Sequence, residues 1–538
     1  MKTRLHNNDG EKMKKMPCSI FNDVLGPVMR GPSSSHVAGA ARIASLFRQS
    51  FDNRIKEAAV DFDVNGSLAA SHEGHGSDMG FACGLMGLDL SDPAVDQYEQ
   101  LLAEKNIQIQ YRILDYGAIH PGNYRISAED TDGIVHRWEA ISVGGGMIKV
   151  WKVEDFQADI CGDFYELLAV CDTSFKSIEE FEEIIKETVP ESDFTQADEK
   201  NGKGLLNLKF SQPVSRSLLD DLRKQKGILE IMYLEPVLFT HSSADCHVPY
   251  SNAAELMEYA EKHTMEPWEY GAYYESCRSG LNMETVYQQM KKILLIMENA
   301  VDLGLKGTTY HDRILGAQSF RIEQAKAEGK LIPCDLMNEI IKSISAVMEV
   351  KSSMGVIVAA PTCGSCGCLA GTVTGLGRTL KMSEDDMVKG LFMAGLIGVF
   401  FAEAATFSAE VGGCQVECGA GSGMAAGAVT QMMGGSIAQC LDSASMALQN
   451  ITGLACDPVG NRVEVPCLGK NIMAGSNAVA SADMVLAGYD KVIPLDETIQ
   501  AIYDIGKMLP LELRCTFGGL GKTKTALEIL EKTKRHFQ

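Results

Sequence analysis

The sequence predicts a multidomain α+β protein. It consists of an N-terminal α+β domain, a small ferredoxin-like βαββαβ domain and a C-terminal all-α domain. Three observations carry this. Up to about residue 154, short apolar runs of period two alternate with Gly, Asn and Asp turns. From 157 to 238, strand and helix patterns follow one another as βαββαβ. From Asn252 onward, apolar residues recur at helical spacing. A chain of 538 residues holds several domains at roughly 100 to 200 residues each.

In the first segment, strands are expected within 56–66, 106–117 and 136–151, and helices at 37–49 and 93–104. In the second, YELLAVC (165–171) and GLLNLKF (204–210) read as strands, with a short strand near Phe194 and a last one at 229–237. Between them, SIEEFEEIIKETV (177–189) and SRSLLDDLRKQKG (215–227) place apolar residues at helical spacing with charge outside. In the third, helices are expected at 251–263, 290–305 and 334–351. The run 385–405 is apolar nearly all round, as suits a central buried helix. The many Gly and Ala residues from 353 to 434 predict close helix-to-helix approach.

Lys and Arg number 49 against 71 Asp and Glu, a net charge of −22. This lacks the basic footprint that nucleic acid and anionic membranes require, so no nucleic-acid partner and no membrane is expected. The opening MKTRLHNNDGEKMKKM has no apolar core of a secretory signal, so a cytoplasmic location is expected. The charge-free stretches 352–377 and 418–441 are broken by glycines and read as buried helices. In a reducing compartment the 16 cysteines are poor disulfide candidates, which leaves metal ligation, catalysis or burial. Eight of the 16 fall between Cys363 and Cys467, more clustered than structural thiols would be.

Three of the cysteines sit beside rigid or kinked backbone: Cys414 in AEVGGCQVEC, Cys456 in GLACDPVG and Cys467 in VEVPCLGK. No CxxC pair recurs as a zinc finger needs, and there is no tight ferredoxin run. Three thiolates on separate loops could hold one iron–sulfur cluster with one iron free; the plainer reading is three core cysteines.

Longer motifs surround these thiols. GPSSSHVAG (31–39), NGSLAASHEGHGSD (65–78), HPGN (120–123) and SVGGGM (142–147) come first. AAPTCGSCG (359–367), GGCQVECGAGSGMAA (412–426), ACDPVGNRVEVPCLGKN (455–471) and LPLELRCTFGGLG (509–521) follow. In these motifs and their order the sequence resembles the iron–sulfur-dependent L-serine dehydratases (L-serine ammonia-lyases) in their single-chain form. The resemblance covers most of the chain. It implies a β-type domain at 17–155, an ACT-like domain at 156–238 and an α-type catalytic domain at 239–538 that binds the cluster. It assigns the ligands of a [4Fe–4S] cluster to Cys414, Cys456 and Cys467.

Dehydrating serine means removing an unactivated α-proton and expelling hydroxide. An iron with an open position is a Lewis acid for the departing oxygen, and a base must reach the Cα proton. The candidates for base are His36 and His75, both inside glycine-rich motifs, with His75 favoured. Ser33, Ser34 and Ser35 suit a carboxylate anchor; their bland alternative is a helix N-cap. Thr362 and Ser142 are expected to complete the pocket. The resemblance further implies L-serine as the small-molecule partner, an amino-acid effector at the ACT-like domain and a homodimer.

Cys363, Cys366 and Cys368 depart from the family pattern, and they read as core thiols or as modulators of the site; Cys418 poses the same choice. Three rival functions remain. A pyridoxal-phosphate enzyme would use SVGGGM and Lys149, but it leaves the cysteine loops unexplained. The same chemistry could act on threonine, cysteine or another β-substituted amino acid. A non-catalytic iron–sulfur sensor of amino acids would bind a cluster without turnover.

Overall fold

The computed structural model describes residues 4–7, 16–51, 55–131, 133–311, 313–516 and 518–535. It is a mixed α+β molecule, with sheets in the N-terminal region and helices throughout the C-terminal half.

The first sheet has six strands, in the order Gln108–Leu114, Ile55–Asp63, Asn123–Asp130, Val135–Gly144, Met147–Val153 and Phe156–Ile160. Only the pair formed by Ile55–Asp63 and Gln108–Leu114 is parallel. The stretch 136–151 thus divides into the two arms of a hairpin. The cause is the glycine run: Gly144, Gly145 and Gly146 all take positive φ, which turns the chain at once. Helices Gly39–Gln49 and Ser77–Met86 lie side by side on this sheet and bury Ile43, Leu46, Phe47, Phe81 and Leu85 with it. Their backbones almost touch, because a methyl group at Gly80 or Gly84 would collide with the carbonyls of Val37 or Ala41. This close packing sets the two helix starts next to each other.

The second sheet takes its strands in the order Arg4–Asn7, Phe194–Lys200, Lys203–Phe210, Tyr165–Asp172 and Ile228–Leu234, all antiparallel. The strand expected to be short near Phe194 is seven residues long. Helix Ile178–Thr188 opens with a capping box between Ser177 and Glu180. With Arg216–Arg223 it covers one face of this sheet, over Leu167, Ala169, Leu206 and Leu208. The other face, with Leu168, Val170, Leu205 and Met232, joins the core of the first sheet.

The helical half is built around Cys418–Met432, which packs against Glu384–Ala404, Ile437–Ile451 and Cys467–Leu486. Asp335–Lys351 and Cys366–Leu380 lie so close that any side chain at Gly371 would strike the Ile344 backbone. One helix among the described residues, Glu384–Ala404, is long and apolar enough to cross a membrane by length and composition. It serves as a core helix, with 78% of its apolar window buried. The segment Cys18–Met29 packs into this helical core rather than onto the first sheet. Ser19 Oγ donates to Glu275 (2.7 Å) and Tyr274 OH donates to the Cys18 carbonyl (2.8 Å). The strand pair Val28–Met29 with Ile357–Val358 then carries the chain to the seam between the halves.

Candidate active site

A cleft at that seam is lined by Pro32, Ser33, Ser34, Ser35 and His75 on one side, and by Gly364, Glu410, Glu417, Cys456, Cys467 and Cys515 on the other. Its empty space, part of it open to solvent, is about 440 Å³.

The first wall follows from the paired helix starts. His36 sits in the turn before Gly39–Gln49, and His75 lies just ahead of Ser77–Met86. Their rings meet edge to face, with centroids 4.7 Å apart. Gly76, at φ +83, lets the chain turn where any Cβ would press on Val37. His36 has both ring nitrogens engaged: Nδ1 with Ser33 Oγ at 3.0 Å and Nε2 with Ser71 Oγ at 2.8 Å. The Ser71 hydroxyl in turn bonds the Ser67 carbonyl (2.7 Å). Ser33 occupies an N-cap position, yet its hydroxyl makes no cap bond and turns to His36 instead. His75, only 1% exposed, has a buried Nε2 with no hydrogen-bond partner. Burial, then the neighbouring His36, holds the His75 ring far below its ordinary pKa. Burial likewise takes His36 down to about 3. Both rings are therefore neutral at physiological pH.

The second wall carries the thiols. Cys414 follows Gly413, whose φ of +71 places it in the region that favours glycine. Cys456 is held by pairing with the 511–515 loop: its N–H donates to the Leu513 carbonyl (2.8 Å), and Cys515 N–H donates to the Cys456 carbonyl (3.0 Å). Cys467 opens the helix Cys467–Leu486 after Pro466 has ended the preceding loop. A donor atom of Cys414, one of Glu417 and one of Cys456 all lie within 4.8 Å of one another. The thiols of Cys414, Cys456 and Cys515 interact in a row with Cys456 in the middle. The contact with Cys456, and then burial, pushes the Cys414 thiol far up. Burial takes Cys467 to about 12 and Glu417 to about 7. Thr362 Oγ1 donates to Glu417 Oε1 at 2.8 Å, and Lys470 Nζ lies 3.8 Å from Cys414 Sγ while paired with Asp457 at 2.8 Å.

The expected residues are thus partly assembled in one place. Ser33, Ser34, Ser35, His75, Cys456 and Cys467 line the cleft, and Cys414 packs against Cys456 behind it. His36, Thr362 and Ser142 stand one step back. Ser142 Oγ donates to the Ser35 carbonyl (2.9 Å) and so braces the serine turn instead of facing the cleft. Ser34 Oγ accepts the Cys363 N–H (3.2 Å), which ties the two walls together. Cys363, Cys366, Cys368 and Cys418 are buried in the main core, where Cys363 Sγ donates to the Gly31 carbonyl (2.9 Å). Lys149 pairs with Asp159 at 2.7 Å and does not line the cleft, so the lysine that the pyridoxal-phosphate reading named lies elsewhere.

Sequence reasoning passed over Ser71, Glu410, Glu417, Lys470 and the buried Lys351, whose ammonium donates to the Val463 carbonyl. Glu410, Glu417 and Lys470 lie inside the cysteine motifs and Ser71 inside NGSLAASHEGHGSD, so motif membership was the one available signal for them; Lys351 gave no local sign.

The donor set fits a metal centre. Buried thiols grouped at one cleft, kept protonated by burial and by one another, become ligands once a cation lowers their pKa.

A family model described as serine dehydratase alpha chain matches residues 174–520, and one described as serine dehydratase beta chain matches residues 22–117. The chain belongs to the serine dehydratase family. It is similar to the probable L-serine dehydratase alpha chain of Bacillus subtilis, 40% identical over 250 residues that cover 46% of this chain and 83% of the relative. Its other end is similar to the probable beta chain of the same organism, 31% identical over 215 residues, covering 40% of this chain and 96% of the relative. The L-serine dehydratase of Streptomyces coelicolor is similar along nearly the whole length, 26% identical over 520 residues, with 94% of this chain and 98% of the relative covered. Both kinds of chain are therefore joined in this one polypeptide.

Proposed function

We propose that the protein is an L-serine ammonia-lyase that converts L-serine to pyruvate and ammonia at the seam cleft. The observation that carries this is the pairing of two unlike walls: a neutral histidine with an unpartnered ring nitrogen faces a set of buried thiols. Cys414, Cys456 and Cys467 hold a [4Fe–4S] cluster. When bound, the cluster supplies an open iron that acts as a Lewis acid toward the substrate hydroxyl.

The chain's own residues do the rest. Ser34 and Ser35, with the amides of the turn that Ser33 opens, hold the substrate carboxylate; the Ser33 hydroxyl proton goes to His36 Nδ1, since Ser71 donates to the Ser67 carbonyl and accepts from His36 Nε2. The Ser34 hydroxyl already accepts from Cys363 N–H, which leaves its own proton to donate. His75 Nε2 takes the Cα proton, because an imidazole kept neutral by burial has its lone pair ready. His36, locked between Ser33 and Ser71, fixes the edge against which the His75 ring rests. Loss of the Cα proton and the Cβ hydroxyl gives 2-aminoacrylate and water. Its imine tautomer takes up water and releases pyruvate and ammonia.

The rest of the assignment follows the same reading. Residues 17–155 form the β-type domain, 156–238 an ACT-like domain open to an amino-acid effector, and 239–538 the α-type catalytic domain. The molecule is a cytoplasmic homodimer. The test is pyruvate release from L-serine by protein purified without oxygen, before and after air. Turnover that vanishes in air is expected. Turnover that survives air and depends on added pyridoxal phosphate overturns the reading.

A further inference from the structure

Cys363 and Cys366 belong to none of the roles above. Both are fully buried, both carry free thiols, and the two thiols are hydrogen-bonded to each other. They stand at either end of one 3₁₀ turn, Cys363–Ser365, which Cys366 closes by donating its N–H to the Cys363 carbonyl. Such a turn takes about three residues and rises about 2 Å for each, so positions i and i+3 lie one above the other about 6 Å apart. That separation is inside the range of about 4.4 to 6.8 Å that a disulfide spans between its Cα atoms. Cys366 also opens the helix Cys366–Leu380, where a thiolate is favoured. Burial opposes its ionisation, but the bond from Cys363 and the Lys351 ammonium outweigh it and hold the Cys366 thiol below its ordinary pKa. Gly364, between the two cysteines, lines the seam cleft, which gives a small molecule a way in.

We propose that Cys363 and Cys366 are a redox site, closed to a reversible disulfide by exchange with a small organic disulfide. The Cys366 sulfur attacks the small disulfide, whose S–S bond breaks and releases one small thiol. The Cys363 sulfur then attacks the mixed disulfide at Cys366 and releases the second. The two cysteines lose two protons and two electrons, and the small disulfide takes up both pairs as it becomes two thiols. The site reaches the cleft through the serine turn. As a thiol, Cys363 donates to the Gly31 carbonyl at 2.9 Å, while its N–H donates to Ser34 Oγ at 3.2 Å. A disulfide sulfur has no proton, so the Gly31 carbonyl loses that donor, and turning the Cys363 side chain to Cys366 strains the tie to Ser34. Oxidation therefore loosens the carboxylate anchor. This consequence, unlike the linkage itself, rests on the L-serine reading given above.

The experiment equilibrates the full iron-loaded chain, without oxygen, with either 2-hydroxyethyl disulfide or dithiothreitol. The protein is quenched in acid, its remaining thiols are alkylated after unfolding, and linked peptides are identified by mass spectrometry. Bound iron and the KM for L-serine are measured on the same samples. A Cys363–Cys366 linkage is expected in the parent and in neither C366S nor C363S, with bound iron unchanged. KM should rise about tenfold in the linked parent, the order expected when a buried carbonyl loses its donor, and dithiothreitol alone should restore it without added iron. Cys334, which is exposed, marks how far the reagent has acted. Cys363 and Cys366 still free when Cys334 is fully converted overturn the proposal. So does iron released in step with the linkage, which would make the pair metal ligands. Linkage with an unchanged KM overturns the coupling to the serine turn. A parent without turnover under either reagent overturns the L-serine reading and the coupling with it, and leaves the linkage to stand or fall by mass.

Discussion

The two walls of the cleft are finished to different degrees. The serine–histidine wall is closed by its own hydrogen bonds, running from Ser33 through His36 and Ser71 to Ser67. It is braced from behind by Ser142, and the buried His75 Nε2 is left without a partner. The thiols of the other wall have no such chain: Cys414, Cys456 and Cys515 contact one another, and those contacts together with burial keep them protonated. The first wall is organised by the fold; the second is completed by what it binds. Substitutions should therefore fail in different ways on the two sides.

The largest effect is expected on the thiol wall. C456A removes the middle member of the row, so the protein should lose its bound iron and all turnover while its far-ultraviolet circular dichroism stays that of the parent. Iron analysis and pyruvate release read both outcomes. Full iron with full activity in C456A would remove the basis for treating this wall as a ligand set. On the other wall, H75N should keep its iron and lose kcat by about 10² to 10⁴, the usual contribution of a positioned base. A change in KM alone would make His75 a binding group.

Much of this division was legible in the sequence. The three cysteines proposed as ligands and the two histidines lie in contiguous motifs, where glycine and proline announce a special backbone. The order βαββαβ was also readable, because strands and helices there each carry their own period. What escaped depends on contacts between distant segments. Ser71 looks like one more serine in NGSLAASHEG until His36, 35 residues earlier, reaches it. Cys515 lies in a motif of its own, and only the backbone pairing with Cys456 brings it to the cleft. The helix Met283–Leu305 starts seven residues before the expected bound: Met283, Val286, Tyr287 and Met290 already keep helical spacing, and Asn282 caps the first turn by accepting the Thr285 N–H. Ser142 was placed in the pocket because it precedes three glycines; the hairpin turns its hydroxyl to the back of the serine turn instead.

A smaller effect separates the walls by pH. His36 has a folded pKa of about 3 against an ordinary 6.5. Between those values the unfolded chain binds a proton that the folded chain does not, so stability falls as pH drops below about 6.5. The slope is about 1.4 kcal/mol per pH unit for each such group. Urea unfolding of the metal-free protein from pH 7.5 to pH 5 should show this slope, and H36N should lose about one proton's worth of it. Equal slopes in the two proteins would mean that His36 is protonated in the fold, and the hydrogen-bond chain through Ser71 would have to be redrawn.

The smallest effect is the most discriminating, because it asks how rigid the organised wall is. S142A removes one hydrogen bond to the Ser35 carbonyl and leaves that acceptor short of a donor in a buried place, which costs about 1 to 3 kcal/mol of stability. The Ser142 hydroxyl also fills the space beside Gly39, so alanine leaves a small gap at the start of the helix that follows the turn carrying Ser35 and His36. His75 reaches the cleft from the other helix start and keeps its place through the Val37 and Ala41 contacts at Gly80 and Gly84. A loosened serine turn should therefore weaken the hold on the substrate carboxylate and raise KM a few-fold, with kcat changed by less than about twofold. Steady-state kinetics on L-serine with a thermal melt separates the two terms. If kcat falls as far as in H75N, then the serine turn and the base move as one unit, and the wall's organisation runs through Ser142 rather than through the packed helices.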